Sequence, residues 1–323
     1  MEAHIVASLQ NMEIETRYFS MTGRGLYSAR IHHVLEKAMT DLHLLESIPV
    51  EKHLLLEVKK FKPDIILILL GNYTTPSTIR KLRNTSNAKI VCWCQDHMGT
   101  MGRQYIIGSH FDFIFAKDQL MVDRFRAFTG MKHVYYLPEA CNPHIHCPVS
   151  LSEEDKTRFS CDVTTAATLY YYRSEILSSL TDFDIKIWGS VPRYYDGPLR
   201  KYATQQSVYT RDKSACFNAS RIVLNTLFPM EIGGLNARAF EIAGCGGFQL
   251  ITHSEAVSRH FEPGKEIETF HNLGELYDKV CYYLEHEDKR YAIAEAGRQR
   301  AHSEHTYEHR LSQMLEIIGS DQH

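Results

Sequence analysis

Two α/β domains, each an open parallel sheet covered by helices on both faces, are what this sequence predicts. Three observations carry the prediction. Short apolar runs of strand length alternate with amphipathic stretches of helix length, the alternation occurs in both halves of the chain, and a proline-bearing, aperiodic segment separates the halves. At 323 residues the chain is too long for one small domain and comfortable for two. With 44% hydrophobic and 23% charged residues it has enough apolar side chains for a core in each half.

In the first half, residues 5–9, 64–70, 89–94 and 113–116 read as buried parallel strands, and residues 28–39 and 53–61 as amphipathic helices. The joint falls within residues 137–152, which hold Pro138, Pro143 and Pro148 and little periodicity. Beyond it, residues 185–188, 221–227 and 247–252 read as strands, and 212–219, 236–244 and 274–285 as helices. Residues 290–318 form a long amphipathic stretch in which Gly297 is the expected break. The expected limits are 1–150 for the first domain, 151–302 for the second and 303–323 for a C-terminal helix. Sheets of this kind bind ligands at the carboxyl ends of their strands, so a cleft between the domains is the expected place for a nucleotide-sized ligand.

The formal charge of -3 gives no strong pull toward nucleic acid or anionic lipid, and neither partner is expected. No apolar run approaches the roughly 20 residues that would span a bilayer. Residues 4–9 are too short for a signal-peptide core and have no basic flank, so a cytoplasmic location is the expectation. The 8 cysteines are scattered, which suits reduced thiols better than a disulfide framework.

The stretch from Leu224-Asn225-Thr226 to Phe248 carries the most information. It holds Gly233-Gly234-Leu235-Asn236-Ala237-Arg238-Ala239-Phe240-Glu241, then Gly244-Cys245-Gly246-Gly247. This reads as a strand, a glycine turn, a helix starting near Asn236, and a glycine-rich exit into another strand. Glycines let the backbone approach a ligand, and the free N–H groups and dipole at a helix start favour a phosphate. Arg238 would add charge-assisted hydrogen bonds, and Glu241, one turn on, would accept hydrogen bonds from ribose hydroxyls. A plain turn followed by a helix with solvated Arg and Glu also satisfies the pattern.

The run Leu235-Asn236 … Arg238 … Phe240-Glu241 … Gly246-Gly247-Phe248 resembles the C-terminal domain of the CgeB-like (spore-maturation-type) glycosyltransferases, relatives of glycosyltransferase group 1. Further segments are similar to that family in the same order: Asp112 to Asp118, Tyr136 to Ala140, His260 to Ile267, Gly274-Glu275-Leu276, Ile293 to Gly297 and His305-Thr306-Tyr307. The resemblance covers roughly residues 90–312. It implies a GT-B fold of two Rossmann-like domains with an interdomain cleft and a C-terminal helix packing back toward the first domain. It also implies a hexosyltransferase-type enzyme that holds a nucleoside-diphosphate sugar on its second domain, needs no obligatory metal, and passes the sugar to a glycan, glycosylated protein or small hydroxyl acceptor. Glu241 would bind the donor ribose, with Gly234, Asn236 and Arg238 at the diphosphate. Many group 1 enzymes carry a second Glu eight positions before the ribose Glu. Here that position is Gly233, and the nearest acid is Glu231.

Other candidates are less specific. Cys161 to Thr168, followed by Arg173, resembles the first strand and loop of the donor domain, where the family usually has Gly near Ala167. Thr168 and Arg173 are candidate donor contacts, and Arg173 also reads as a helix-surface residue. Gly23, Arg24 and Gly25 form a glycine loop of the kind that lines the cleft in GT-B enzymes; a plain turn is the alternative. Asp96 and His97 end a strand on the side where chemistry would occur. They are the candidates for orienting or deprotonating the acceptor hydroxyl. Cys141, His144, His146 and Cys147 invite a zinc reading, but the spacing lacks a matching second half. His302, His305 and His309 suit helix packing better than metal, and no metal is expected. Two other functions stay open: a nucleotide-sugar epimerase on the same scaffold, and a non-catalytic nucleotide- or glycan-binding module.

Overall fold

The computed structural model describes residues 2–21, 49–69, 74–96, 108 and 110–320. The chain divides into two compact units, Met1–Leu137 with Glu316–His323, and Pro138–Leu315. Among the described residues no helix is long and apolar enough to cross a membrane.

In the first unit, β1 (Ile65–Leu69), β2 (Lys89–Cys94), β3 (Phe113–Ala116) and β4 (Val134–Tyr136) lie side by side in that order, all parallel. The sequence reading places the first three correctly: β2 and β3, buried on both faces, are continuous apolar runs, and half-buried β1 is one as well. The three-residue β4 is too short to carry a period. Helix Pro76–Thr85 begins at Thr75, whose hydroxyl accepts the Thr78 N–H in a capping box, with proline at the first turn. Helix Gln119–Thr129 begins at Asp118, which accepts the Met121 N–H, and ends at Gly130 in the left-handed conformation. Ile79, Leu82, Ile90, Cys92, Ile114, Val122 and Val134 make the core. Glu51, buried on helix Pro49–Phe61, joins the two helices by accepting from Thr78 and, at 2.7 Å, from Lys81.

One expectation fails here. Residues 5–9 are helical, within Glu2–Asn11, not a strand. Ile5 and Ser8, three apart, turn inward, and a short apolar run cannot by itself distinguish the two states. The expected helix over residues 28–39 lies outside the described residues.

In the second unit, β5 (Val163–Ala166), β6 (Ile185–Trp188), β7 (Ile222–Asn225), β8 (Gln249–Thr252) and β9 (Glu268–Phe270) form a parallel sheet in the order β6-β5-β7-β8-β9. Val163 pairs with Ile185 on one side and Ile222 on the other. The chain therefore leaves β5 in one direction and returns to its opposite side, which makes the β5–β7 junction the topological switch point. Ile222 and Leu224 pack into one core, while Val223 packs into another with Phe159, Trp188 and Ile242. The strand is covered on both faces, as its unbroken apolar run requires.

The C-terminal stretch is helical over Glu287–Glu304 and again over Tyr307–Ser320. It breaks at His305-Thr306 and not at Gly297. Gly297 stays helical, and a side chain there would collide with the Glu266 carbonyl oxygen, so its smallness serves a close crossing and not a kink. The break is held by a bridge to the segment after Pro138. Cys141 N–H donates to the His305 carbonyl at 2.9 Å, and Tyr307 N–H to the Cys141 carbonyl at 3.1 Å. Arg310 donates to the Glu139 carbonyl and to His305 Nδ1.

Candidate functional site

The ends of β5 and β7 are tied together by one side chain. Arg173, in helix Tyr171–Ser178, is almost fully buried. Its Nε donates to the Thr226 hydroxyl at 2.8 Å, one Nη to the Thr168 carbonyl, and the other Nη to the Tyr170 hydroxyl at 3.1 Å. Its guanidinium also sits 4.3 Å from the centre of the Tyr170 ring. The sequence left open whether Arg173 is a surface residue; burial decides against that.

After β7 the chain passes through the glycine turn into helix Ala237–Cys245. Asn236 caps this helix, its side-chain oxygen accepting the Ala239 N–H at 3.1 Å. The same side chain forms a reciprocal amide pair with buried Asn225, at 3.0 and 3.1 Å. Asn225 donates to Gln249 at 2.8 Å, and Gln249 donates to the Ala239 carbonyl. Asn236 therefore spends its amide on building the turn. Gly246, with φ of 73°, ends the helix in the left-handed conformation that favours glycine.

Arg238 donates from Nη1 to Asn225 Oδ1 at 3.1 Å. Two arginines from two helices thus hold consecutive residues, Asn225 and Thr226, at the end of β7. Their partners are hydroxyls, a carbonyl and an amide; among the described residues neither guanidinium forms an ion pair with a carboxylate. Burial, and then the neighbouring Arg238 charge, push the Arg173 pKa down to about 10. Burial also lowers that of Arg238, against the pull of Glu241, Tyr170, Glu231 and Glu139. Both remain cations at neutral pH, in a place where positive charge is costly and an anion would be stabilised.

Glu241 lies one turn beyond Arg238 and is differently placed. Its Oε2 accepts from Lys213 Nζ at 3.0 Å, and its Oε1 is 3.7 Å from His146 Nε2. Asn142 N–H donates to His146 Nδ1 at 3.0 Å, so the neutral imidazole carries its proton on Nε2, toward the carboxylate. Burial pushes the Glu241 pKa up, but Lys213 and His146 more than reverse this, and the group is held ionised. No sequence motif signals Lys213. It comes from helix Thr210–Ala219 and meets Glu241 only in three dimensions.

The remaining sequence candidates fall as follows. Gly234 is buried at the turn, and Thr168 is exposed after β5, its hydroxyl accepting from Ser190 at 3.2 Å. Asp96 is exposed just past β2 in the first unit. Gly23, Arg24, Gly25 and His97 lie outside the described residues. Among the described residues no group of three or more His, Cys, Asp and Glu side chains could hold a metal ion. His302 Nε2 lies 2.9 Å from the carbonyls of His146 and Gly244, His305 Nε2 is 2.8 Å from that of His260, and His309 Nδ1 is 2.8 Å from the Thr306 hydroxyl. His302 and His305 tie helices to carbonyls elsewhere in the unit, while His309 is exposed and bonds only within the start of its own helix.

Known proteins resemble this chain in sequence over one segment and in fold. Residues 173–316 match the family model described as glycosyl transferase-like, which takes in Arg173, Lys213, Arg238 and Glu241. No curated protein matches the chain. Among solved structures, Anabaena Alr3699/HepE in complex with UDP and glucose is similar at a TM-score of 0.66 and 12% identity, over 98% of this chain and 89% of that one. A glycosyltransferase from Rickettsia africae ESF-5 is similar at 0.63 and 13%, over 97% and 86%. Sucrose-phosphate synthase from Thermosynechococcus elongatus is similar at 0.60 and 11%, over 84% and 76%. The fold is that of the GT-B glycosyltransferases, with two parallel sheets, and the matched segment is glycosyltransferase group 1-like.

Proposed function

We propose that this chain is a metal-independent glycosyltransferase that holds a nucleoside-diphosphate sugar on its second unit and passes the sugar to a hydroxyl acceptor. The observation that carries the reading is the pair Arg173, buried, and Arg238, half-buried, two guanidiniums that among the described residues have no carboxylate partner, beside a capped helix start at the β5–β7 switch point. Such a place suits a diphosphate. The matched family segment and the complex of Alr3699/HepE with UDP and glucose support the same class of donor.

Each group has a task in this reading. Arg238, Arg173 and the backbone at Gly234 meet the diphosphate, and Thr168 borders it. Asn236 shapes the turn through its cap and amide pair. Glu241 accepts from the ribose hydroxyls. In transfer, the bond from the sugar's anomeric carbon to the diphosphate oxygen breaks as the acceptor oxygen bonds to that carbon. The departing diphosphate gains negative charge, which the two guanidiniums stabilise without a divalent cation. The acceptor proton goes to Asp96 or His97, or to the departing phosphate if configuration is retained. Gly23, Arg24 and Gly25 stand as further donor or acceptor contacts. We assign the acceptor to glycans, glycosylated proteins or small hydroxyl compounds, the sugar to hexoses, and the setting to the cytoplasm. Polysaccharide biosynthesis of the CgeB-like kind is the context that the ordered motifs support.

A thermal-shift panel of UDP, dTDP, GDP, ADP and CMP on wild type and Glu241→Ala tests the reading. Stabilisation by one nucleoside diphosphate, by a few kcal/mol at concentrations about a hundred times Kd and lost in the variant, is expected. A folded protein that no nucleotide stabilises would overturn it.

A further inference from the structure

The pairing of Lys213 with Glu241 has no counterpart at the two arginines beside it. Lys213 projects from helix Thr210–Ala219, which leads into β7, and reaches Glu241 on the helix that follows β7. Its side chain is 20% exposed and that of Glu241 14%, so the pair is shielded enough for a fixed geometry to matter. Among the described residues only one carboxylate oxygen is hydrogen-bonded. Oε2 takes the lysine, while the 3.7 Å from Oε1 to His146 Nε2 is beyond hydrogen-bond length. Carboxylate, lysine and imidazole come from three separate segments, and Arg238 holds Asn225 one turn before.

A carboxylate with one oxygen fixed by a cation is turned so that the other is presented in one direction. A flexible glutamate loses rotamer freedom when it binds; a clamped one has lost it already. We infer that Lys213 is the positioning residue for ribose recognition, holding Glu241 so that Oε1 receives a ribose hydroxyl of the donor nucleotide. The inference rests on the nucleotide-sugar reading of this site. Lys213 itself touches no ligand. It keeps the carboxylate ionised and aimed, whereas the arginines act on the diphosphate directly.

The two roles separate in a cycle that changes the protein and the ligand together. Dissociation constants are measured for UDP, ADP and GDP and for their 2′,3′-dideoxy counterparts, on wild type, Lys213→Met and Lys213→Arg. Wild type is expected to prefer the hydroxylated ligand by about tenfold, as one to two hydrogen bonds to a charged group imply. In Lys213→Met the preference falls to about twofold, with dideoxy binding unchanged within about twofold, and Lys213→Arg restores most of it. If Lys213→Met weakens the hydroxylated and dideoxy ligands equally, or changes neither, the positioning role is wrong although the nucleotide reading stands. If wild type binds a nucleotide without regard to its hydroxyls, Glu241 does not read ribose and both fall together. Should Lys213→Met fail to fold, the Lys213→Arg and Lys213→Gln pair carries the same comparison.

Discussion

Two charged pairs lie a helical turn apart in the second unit and are built on opposite principles. Arg173 and Arg238 are cations set close together, bonded to neutral groups and each depressed in pKa by burial. Lys213 and Glu241 are a cation and an anion that satisfy each other. The first pair is electrostatically unfinished and the second is closed. An unfinished pair costs stability in the free protein and recovers it when an anion arrives, while a closed pair holds a shape. On the proposed function, the difference would separate residues that meet a charged ligand from residues that aim a neutral contact.

The contrast breaks most sharply at Arg238. Arg238→Gln keeps a donor for Asn225 but removes the charge. Nucleoside-diphosphate affinity by calorimetry is expected to drop about a hundredfold, the loss of one or two charge-assisted hydrogen bonds. The melting temperature without ligand should hold or rise, because the like charge beside Arg173 has gone. A fall in both would mean that Arg238 is a structural residue.

A second change finishes the unfinished pair. In Thr226→Asp a carboxylate replaces the hydroxyl that accepts from Arg173. The unliganded protein is expected to stay within about 1 kcal/mol of wild type in urea, since a paired charge replaces a hydrogen bond. Nucleotide affinity should fall about tenfold as the new anion competes with the phosphate. Undiminished affinity would show that the ligand does not use Arg173.

The smallest effect at neutral pH comes from charges kept out of the unit altogether. Burial and neighbouring cations lower His260 to about 3 and His305 to about 4, from an ordinary value of 6.5. Below pH 6.5 the unfolded chain takes up protons that these folded imidazoles refuse. Stability is therefore complete above that value and falls as pH drops toward 4, by up to about 1.4 kcal/mol per pH unit for each histidine. Urea unfolding at pH 7, 6 and 5 should show the slope, and His305→Gln should flatten part of it. A wild-type profile flat across that range would contradict the assignment.

Where the sequence was legible, burial on both faces is the reason. β2 and β3 coincide with their apolar runs because almost nothing in those runs had to face water. β9, at three residues, has no period to read, and residues 5–9 were apolar enough for either state. At the site, the glycine turn and the helix starting at Asn236 follow from local chemistry, and the structure places both there. What Asn236 does with its amide depends on Asn225, which is 11 residues away, and sequence reading does not fix such a pairing. Lys213 was invisible for the same reason at greater range, since it meets Glu241 across 28 residues and belongs to no pattern.

The clasp between the segment after Pro138 and the C-terminal helices has a consequence for how the protein is made. Arg310 reaches back 171 residues to the carbonyl of Glu139, and Cys141 waits for His305 and Tyr307 before its backbone is paired. Helix Glu287–Glu304, whose Gly297 seats against Glu266, packs on helix Ala237–Cys245 after every strand of the sheet has been synthesised. During translation the nascent chain carries β5 to β9 and the arginine-bearing turn without their last support. The second unit is therefore expected to complete its fold only after its final two helices emerge, and a chain halted before residue 287 would carry the whole sheet without the contacts that close it.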